Sequence, residues 1–130
     1  MRDNKLSIVI NRPVKEVYSY TLNPENTHLW IDFIDEEVSS SWPPKVGTTY
    51  RNRASGNERW RHFKIIELKN NKTFTLEDPK GNFHVRYSFK QLNDNSTEFE
   101  YHEWTTYADL ESLFPMRHLD KLKSILENGK

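Results

Sequence analysis

The chain has no cysteine, which excludes a disulfide framework, a thiolate metal site and a cysteine nucleophile. It also lacks an excess of either charge, because nineteen Lys and Arg offset nineteen Asp and Glu. With no global field to attract polyanions, neither nucleic acid nor an anionic membrane is expected as a partner. Long apolar runs are missing too. The longest, Ile8–Ile10, is far too short for membrane insertion. No apolar signal-peptide core follows the first five residues, which points to the cytoplasm. Among the four glycines no G-x-G-x-x-G, Walker or G-x-S-x-G sequence occurs, so nucleotide and nucleophile-elbow readings have no basis. Alanine is nearly absent, at two copies against seventeen aromatic residues. The apolar content therefore comes in large pieces.

What is present reads as one domain over 1–130. Leu6, Ile8 and Ile10 alternate in Lys5–Asn11 and predict a strand. Pro13 opens a helix whose stripe is Val14, Val17, Tyr18 and Leu22. Asn23-Pro24 breaks it, and Pro24–Asp32 predicts a second short helix carrying Leu29 and Trp30. Strands are then expected over Ile34–Trp42, Thr48–Ser55, Arg59–Leu68, Lys72–Asp78, Phe83–Leu92 and Thr97–Tyr107. Met116, Leu119, Leu122, Ile125 and Leu126 form one seam of a closing helix from Pro115 to about Asn128, with Gly129 as its stop. This order describes an α+β fold: a strongly curved antiparallel sheet wrapped around one amphipathic helix, with two short helices between the first two strands.

Hairpin register decides which side chains line the concave face, since a slip of one residue reverses all of them. A two-residue turn at Gly56-Asn57 sets Tyr50 opposite Phe63 and Asn52 opposite Arg61. A two-residue turn at Asn70-Asn71 sets Ile65 opposite Leu76 and Lys64 opposite Glu77. The expected inner wall is Tyr50, Asn52, Arg61, Phe63, Ile65, Phe74, Leu76, Phe83, Val85, Tyr87, Phe89, Phe99, Tyr101 and Glu103. The helix seam, with Met116 and Leu119, closes it. His84, Arg86, His102 and Trp104 fall on the convex side. Rings on a bent sheet either fill the core or leave a residual cavity. Each buried ring contributes about 1.5–3 kcal/mol, so a wall of this kind is stable in both cases.

Several segments resemble the START-like superfamily, also called SRPBCC or pollen-allergen-like, and its polyketide-cyclase/dehydrase-like branch in particular. They are Arg12-Pro13 with Val14–Tyr20, Asn23-Pro24-Glu25 before Trp30, and Val46-Gly47-Thr48-Thr49-Tyr50. Phe63-Lys64-Ile65 with Glu67, Asn95-Ser96-Thr97-Glu98-Phe99 and the closing Leu119–Glu127 complete them. Their order and spacing cover nearly the whole chain. The resemblance implies a helix-grip fold. It implies a cofactor-free cavity between sheet and C-terminal helix for a hydrophobic or aromatic small molecule, lipid or polyketide-like. Members of the superfamily include lipid and hormone carriers, aromatic polyketide cyclases, coenzyme-Q-binding proteins and chaperone activators.

Glu103 is the sharpest chemical feature, and the candidate for catalysis. It shares a face with Tyr87, Phe99 and Tyr101, where an unpaired carboxylate is costly. It pairs structurally with Arg61 or a tyrosine hydroxyl, or anchors a ligand, or serves as general acid or base in a cyclase or dehydratase reaction. Asp35-Glu36-Glu37 reads as a solvated strand edge. The five histidines lack metal-ligand spacing and are expected in solvent, so no metal is assigned. Arg51, Arg53, Arg59, Arg61 and Lys64 surround Trp60 in a basic hairpin, best explained by Arg53 packing on the indole. The same hairpin offers a third reading, a protein-interaction surface.

Overall fold

Alternating apolar residues make Asp3–Ile10 the first strand, β1, whose Leu6, Ile8 and Ile10 face the core. The structure is a computed structural model and describes residues 2–129. Pro13 stands at the cap of α1 (Val14–Leu22), which buries Val17, Tyr18 and Leu22. The Asn23 side chain accepts the Glu25 N–H at 3.0 Å and starts a 3-10 turn, Pro24–Asn26, that runs into α2 (Thr27–Trp30). Six strands follow: β2 (Glu36–Ser39), β3 (Thr49–Arg53), β4 (Arg61–Lys69), β5 (Thr73–Glu77), β6 (Phe83–Asn93) and β7 (Ser96–Thr105). The chain closes with α3 (Arg117–Asn128).

All seven strands form one antiparallel sheet in the order β1-β7-β6-β5-β4-β3-β2. This is a meander of six strands with β1 returned to the β7 edge, the helix-grip arrangement. Gly129 ends α3 in the left-handed conformation, φ +73°, donating to the Ile125 carbonyl at 2.7 Å. Leu119, Leu122 and Leu126 turn the seam of α3 onto the sheet. Among the described residues no helix is long and apolar enough to cross a membrane.

The local differences from expectation have identifiable causes. β2 covers Glu36–Ser39 rather than Ile34–Trp42. Serine hydroxyls take over beyond it: Ser40 Oγ accepts the Thr49 N–H and Ser41 Oγ bonds Thr48 Oγ1 at 2.8 Å, so the chain leaves the ladder. The β3–β4 register is the expected one, Tyr50 opposite Phe63 and Asn52 opposite Arg61. Its turn is wider, because Asn57 Oδ1 accepts the Arg59 N–H and holds the strands apart before Ser55 and Glu58 can pair. The β4–β5 turn has three residues between Lys69 and Thr73, not two, with Asn71 at φ +61°. A bulge at Ile66 absorbs the extra residue, so Ile65 still meets Leu76 and Lys64 still meets Glu77. Helix α3 starts at Arg117, two residues after Pro115.

Candidate functional site

The concave face is built ring against ring. Tyr18 of α1 meets Phe74 and Phe89 edge-on, at 6.1 and 5.3 Å between centroids. Trp30, at the end of α2, wedges into the centre of the wall and touches Tyr87, Phe99 and Phe114 with T-shaped contacts. Tyr101 stacks on Phe114 at 3.9 Å and 13°. Trp30 is 2% exposed and Phe99 is fully buried. The indole thus occupies space that a curved sheet would otherwise leave open. The hollows formed by the described residues include two at the surface. One, about 400 Å3, opens on the convex face beside Arg86, His102 and Trp104. The other, about 320 Å3, lies between α2 and α3, with Trp30 among its lining residues.

Phe74, Leu76, Val85, Tyr87, Phe89, Phe99, Tyr101 and Leu119 are buried in this core. Phe63 is half-buried against Phe83. Tyr50 is committed elsewhere: its hydroxyl donates to the Leu22 carbonyl at 2.7 Å and closes the end of α1. Met116 is 36% exposed, because α3 begins one residue later and leaves it at the cap rather than on the seam.

Glu103 is 4% exposed and faces the core, but it does not meet Arg61. Among the described residues no ion pair joins them. The sheet order places β7 and β4 three strands apart, about 14 Å at the usual strand spacing. One carboxylate oxygen, Oε2, accepts both the Phe114 backbone N–H at 2.7 Å and the Asn4 side-chain amide at 2.9 Å. Glu103 thereby ties the segment before α3 to β1.

A different carboxylate occupies the mouth of the wall. Glu37, expected at a solvated edge, points inward from β2. Its Oε1 accepts the Thr27 hydroxyl at 2.6 Å and its Oε2 accepts the Asn52 amide at 3.1 Å. Asn52 Oδ1 in turn accepts Arg61 Nε at 3.1 Å. Burial pushes the Glu37 carboxyl up from its ordinary value, against the opposing pull of these hydrogen bonds and of the Arg61 cation. Asp35 and Glu36 remain outside and pair with Arg53 at 3.3 and 3.1 Å. Glu37 is the ladder partner of Asn52, which carries it onto the concave face.

Arg61 stands at the rim, its guanidinium 5.7 Å from the Phe33 ring centroid. Tyr87 and Tyr101 belong to the buried wall. Their hydroxyls have no hydrogen-bond partner among the described residues, and the two residues keep 7% and 5% exposure. Burial raises both phenols well above their ordinary range. The mouth therefore combines a carboxyl, an amide, a guanidinium and two phenols on an aromatic wall.

The remaining charged features are structural. Two of the histidines expected in solvent are buried. His84 stacks on Trp104 at 5.0 Å and bonds Glu77 at 3.0 Å. His118 lies 3.0 Å from the Asp32 carboxylate, which Arg117 also holds. Among the described residues no group of three potential metal ligands converges. In the basic hairpin both Arg51 and Arg53 pack on Trp60, and Asp35 and Glu36 offset Arg53.

No protein-family model and no curated protein matches the chain. Solved structures do share its fold. The Aha1 dimer from Colwellia psychrerythraea is 19% identical, with TM-score 0.73 over 100% of this chain and 99% of that one. The protein XoxI from Bacillus cereus is 10% identical, with TM-score 0.76 over 98% of this chain and 97% of that one. The di-domain ARO/CYC BexL of the BE-7585A biosynthetic pathway is 12% identical, with TM-score 0.64. That match spans 81% of this chain and 36% of BexL. At these identities the likeness shows the helix-grip fold alone.

Proposed function

We propose that the chain is a START-like ligand-binding domain of the cytoplasm, and that it takes a compact aromatic small molecule at the mouth of its concave face. The observation that carries this reading is the Glu37–Asn52–Arg61 relay, set among aromatic rings beside two unbonded phenols. A few convergent polar groups on an apolar wall are what orients a ligand. The guest is compact because Trp30 and its neighbours fill the interior. Phe33, 40% exposed at the same rim, supplies a ring for it to lie against.

The test is thermal unfolding with a panel of one- and two-ring aromatics, with fatty acids and sterols alongside. A ligand at one hundred times its Kd adds about 2.7 kcal/mol to stability. The expected result is a rise in Tm with compact aromatics that Asn52→Leu abolishes. A panel with no shift from any compact aromatic rejects the reading.

The burial of Glu37 favours a second reading, acid–base catalysis of a cyclase or dehydratase type. A half-buried carboxyl whose pKa is raised by desolvation is suited to proton transfer. In this geometry Glu37 is the group for it, whereas Glu103 Oε2 is engaged by Asn4 and Phe114. Loss of turnover in Glu37→Gln with ligand affinity retained would support it, and unchanged turnover would dismiss it.

A further inference from the structure

We propose that the ligand carries an anionic group on its ring, a carboxylate or phenolate, and that Arg61 receives it. This rests on the reading of the mouth as a ligand site and specifies the chemistry of its guest.

Three observations support it. The first is the unused hydrogen-bonding capacity of Arg61. Its Nε is taken by Asn52 Oδ1, which leaves the edge formed by the two terminal nitrogens. Among the described residues neither has a hydrogen-bond or ion-pair partner. Arg53, Arg86 and Arg117 each lie within ion-pair distance of an acid. That edge presents two parallel N–H groups, the geometry that matches a carboxylate in bidentate fashion.

The second is orientation. An asparagine amide by itself can turn over and offer its NH2 where its oxygen was. Here Glu37 accepts from Asn52 Nδ2, so the Asn52 oxygen must face Arg61. Thr27 fixes Glu37 in its turn. Glu37 is thus a positioning residue that sets the direction of the guanidinium through Asn52. A surface arginine held only by solvent would have no such chain behind it.

The third is surroundings. The guanidinium lies over Phe33, and its charge reaches the Tyr101 phenol, on which it acts against the effect of burial. An anion bound at the free edge would therefore hold its attached ring beside Phe33. This favours an aromatic acid over inorganic phosphate or an aliphatic acid.

The experiment is calorimetric titration at pH 7 with 2-naphthoate and its neutral analogue 2-naphthamide, on the wild-type chain and on Arg61→Gln and Arg61→Lys. The naphthoate should bind at least tenfold more tightly than the amide. Arg61→Gln should remove that preference, so that naphthoate and amide bind with equal affinity, and Arg61→Lys should keep part of it, since a point charge lacks the fork. Equal affinities in the wild type, or a preference that survives Arg61→Gln, would overturn the anion assignment and leave the aromatic site standing. Failure of both compounds to bind the wild type would remove the site itself, and the anion assignment with it.

Discussion

Asn52 donates its side-chain amide to the Glu37 carboxylate at 3.1 Å, across a ladder in which the two residues are direct partners. The bond joins a short edge strand to the body of the sheet and places a carboxyl among rings. Much of the behaviour expected of this molecule follows from that contact and from the packing behind it.

Asn52→Leu leaves Glu37 without its amide donor and Arg61 without its acceptor. A buried acceptor so stranded costs about 1–3 kcal/mol. Urea denaturation should show that loss. Replacing both partners by apolar groups removes the desolvation problem, so Glu37→Leu with Asn52→Leu should be more stable than Asn52→Leu alone. A double variant less stable than the single one would contradict the pairing.

Trp30→Ala removes the wedge between α2 and the wall. Loss of a buried Trp costs about 3–5 kcal/mol. The void left behind is lined by Tyr87, Phe99 and Phe114 and so is mostly apolar. Such a void should admit indole or benzene. Thermal scans should show a larger Tm rise with either compound in the variant than in the wild type.

Two carboxyls give stability opposite slopes with pH. Glu37 has a folded pKa above its ordinary 4.5, because burial disfavours its charge. Its contribution is full below 4.5 and fades as pH rises through the raised folded value. Asp32 has a folded pKa below its ordinary 3.8, through hydrogen bonds from Arg117 and then His118. Its contribution is full above 3.8 and fades as pH falls through the lowered folded value. Glu37→Gln should flatten the decline on the neutral side, and Asp32→Asn the decline on the acid side. Asp32 is 56% exposed on its side chain, so high salt should shrink its part and spare that of Glu37. Urea midpoints across a pH series test both.

Glu103→Gln reduces the charge that two donors share. Hydrogen bonds to a charged group are worth about 1.5–3 kcal/mol. The Phe114 amide should exchange its hydrogen faster in the variant, while amides in the centre of β6 keep their protection. An unchanged Phe114 rate would show that Glu103 does not hold the segment before α3.

The fold was legible because its parity was written twice, once in the alternation of each strand and once in the turns. Phe83, Val85, Tyr87 and Phe89 read inward on β6, and Phe99, Tyr101 and Glu103 on β7, as their pairing requires. The candidate site was less legible. Glu37 sits in a run of three acids on a strand four residues long, too short for alternation to separate it from Asp35 and Glu36. The pairing of Glu103 with Arg61 presumed proximity from a shared face and ignored the strands between them. Trp30 read as one residue of a second short helix, and only the three-dimensional course of α2 turns it into the filler of the wall. His84 read as solvated because parity assigns a side of the sheet and not the presence of Trp104 over it.

The bulge at Ile66 carries a consequence for shape. Ile65 faces inward, Glu67 outward and Leu68 inward again, with Ile66 the supernumerary residue between them. Deleting Ile66 would restore strict alternation and leave every lining side chain on its present side. What would change is the bend that bulges impose on a strand. A chain one residue shorter would thus keep its chemistry while loosening its curl, and geometry could be tuned separately from the identity of the residues that face a guest.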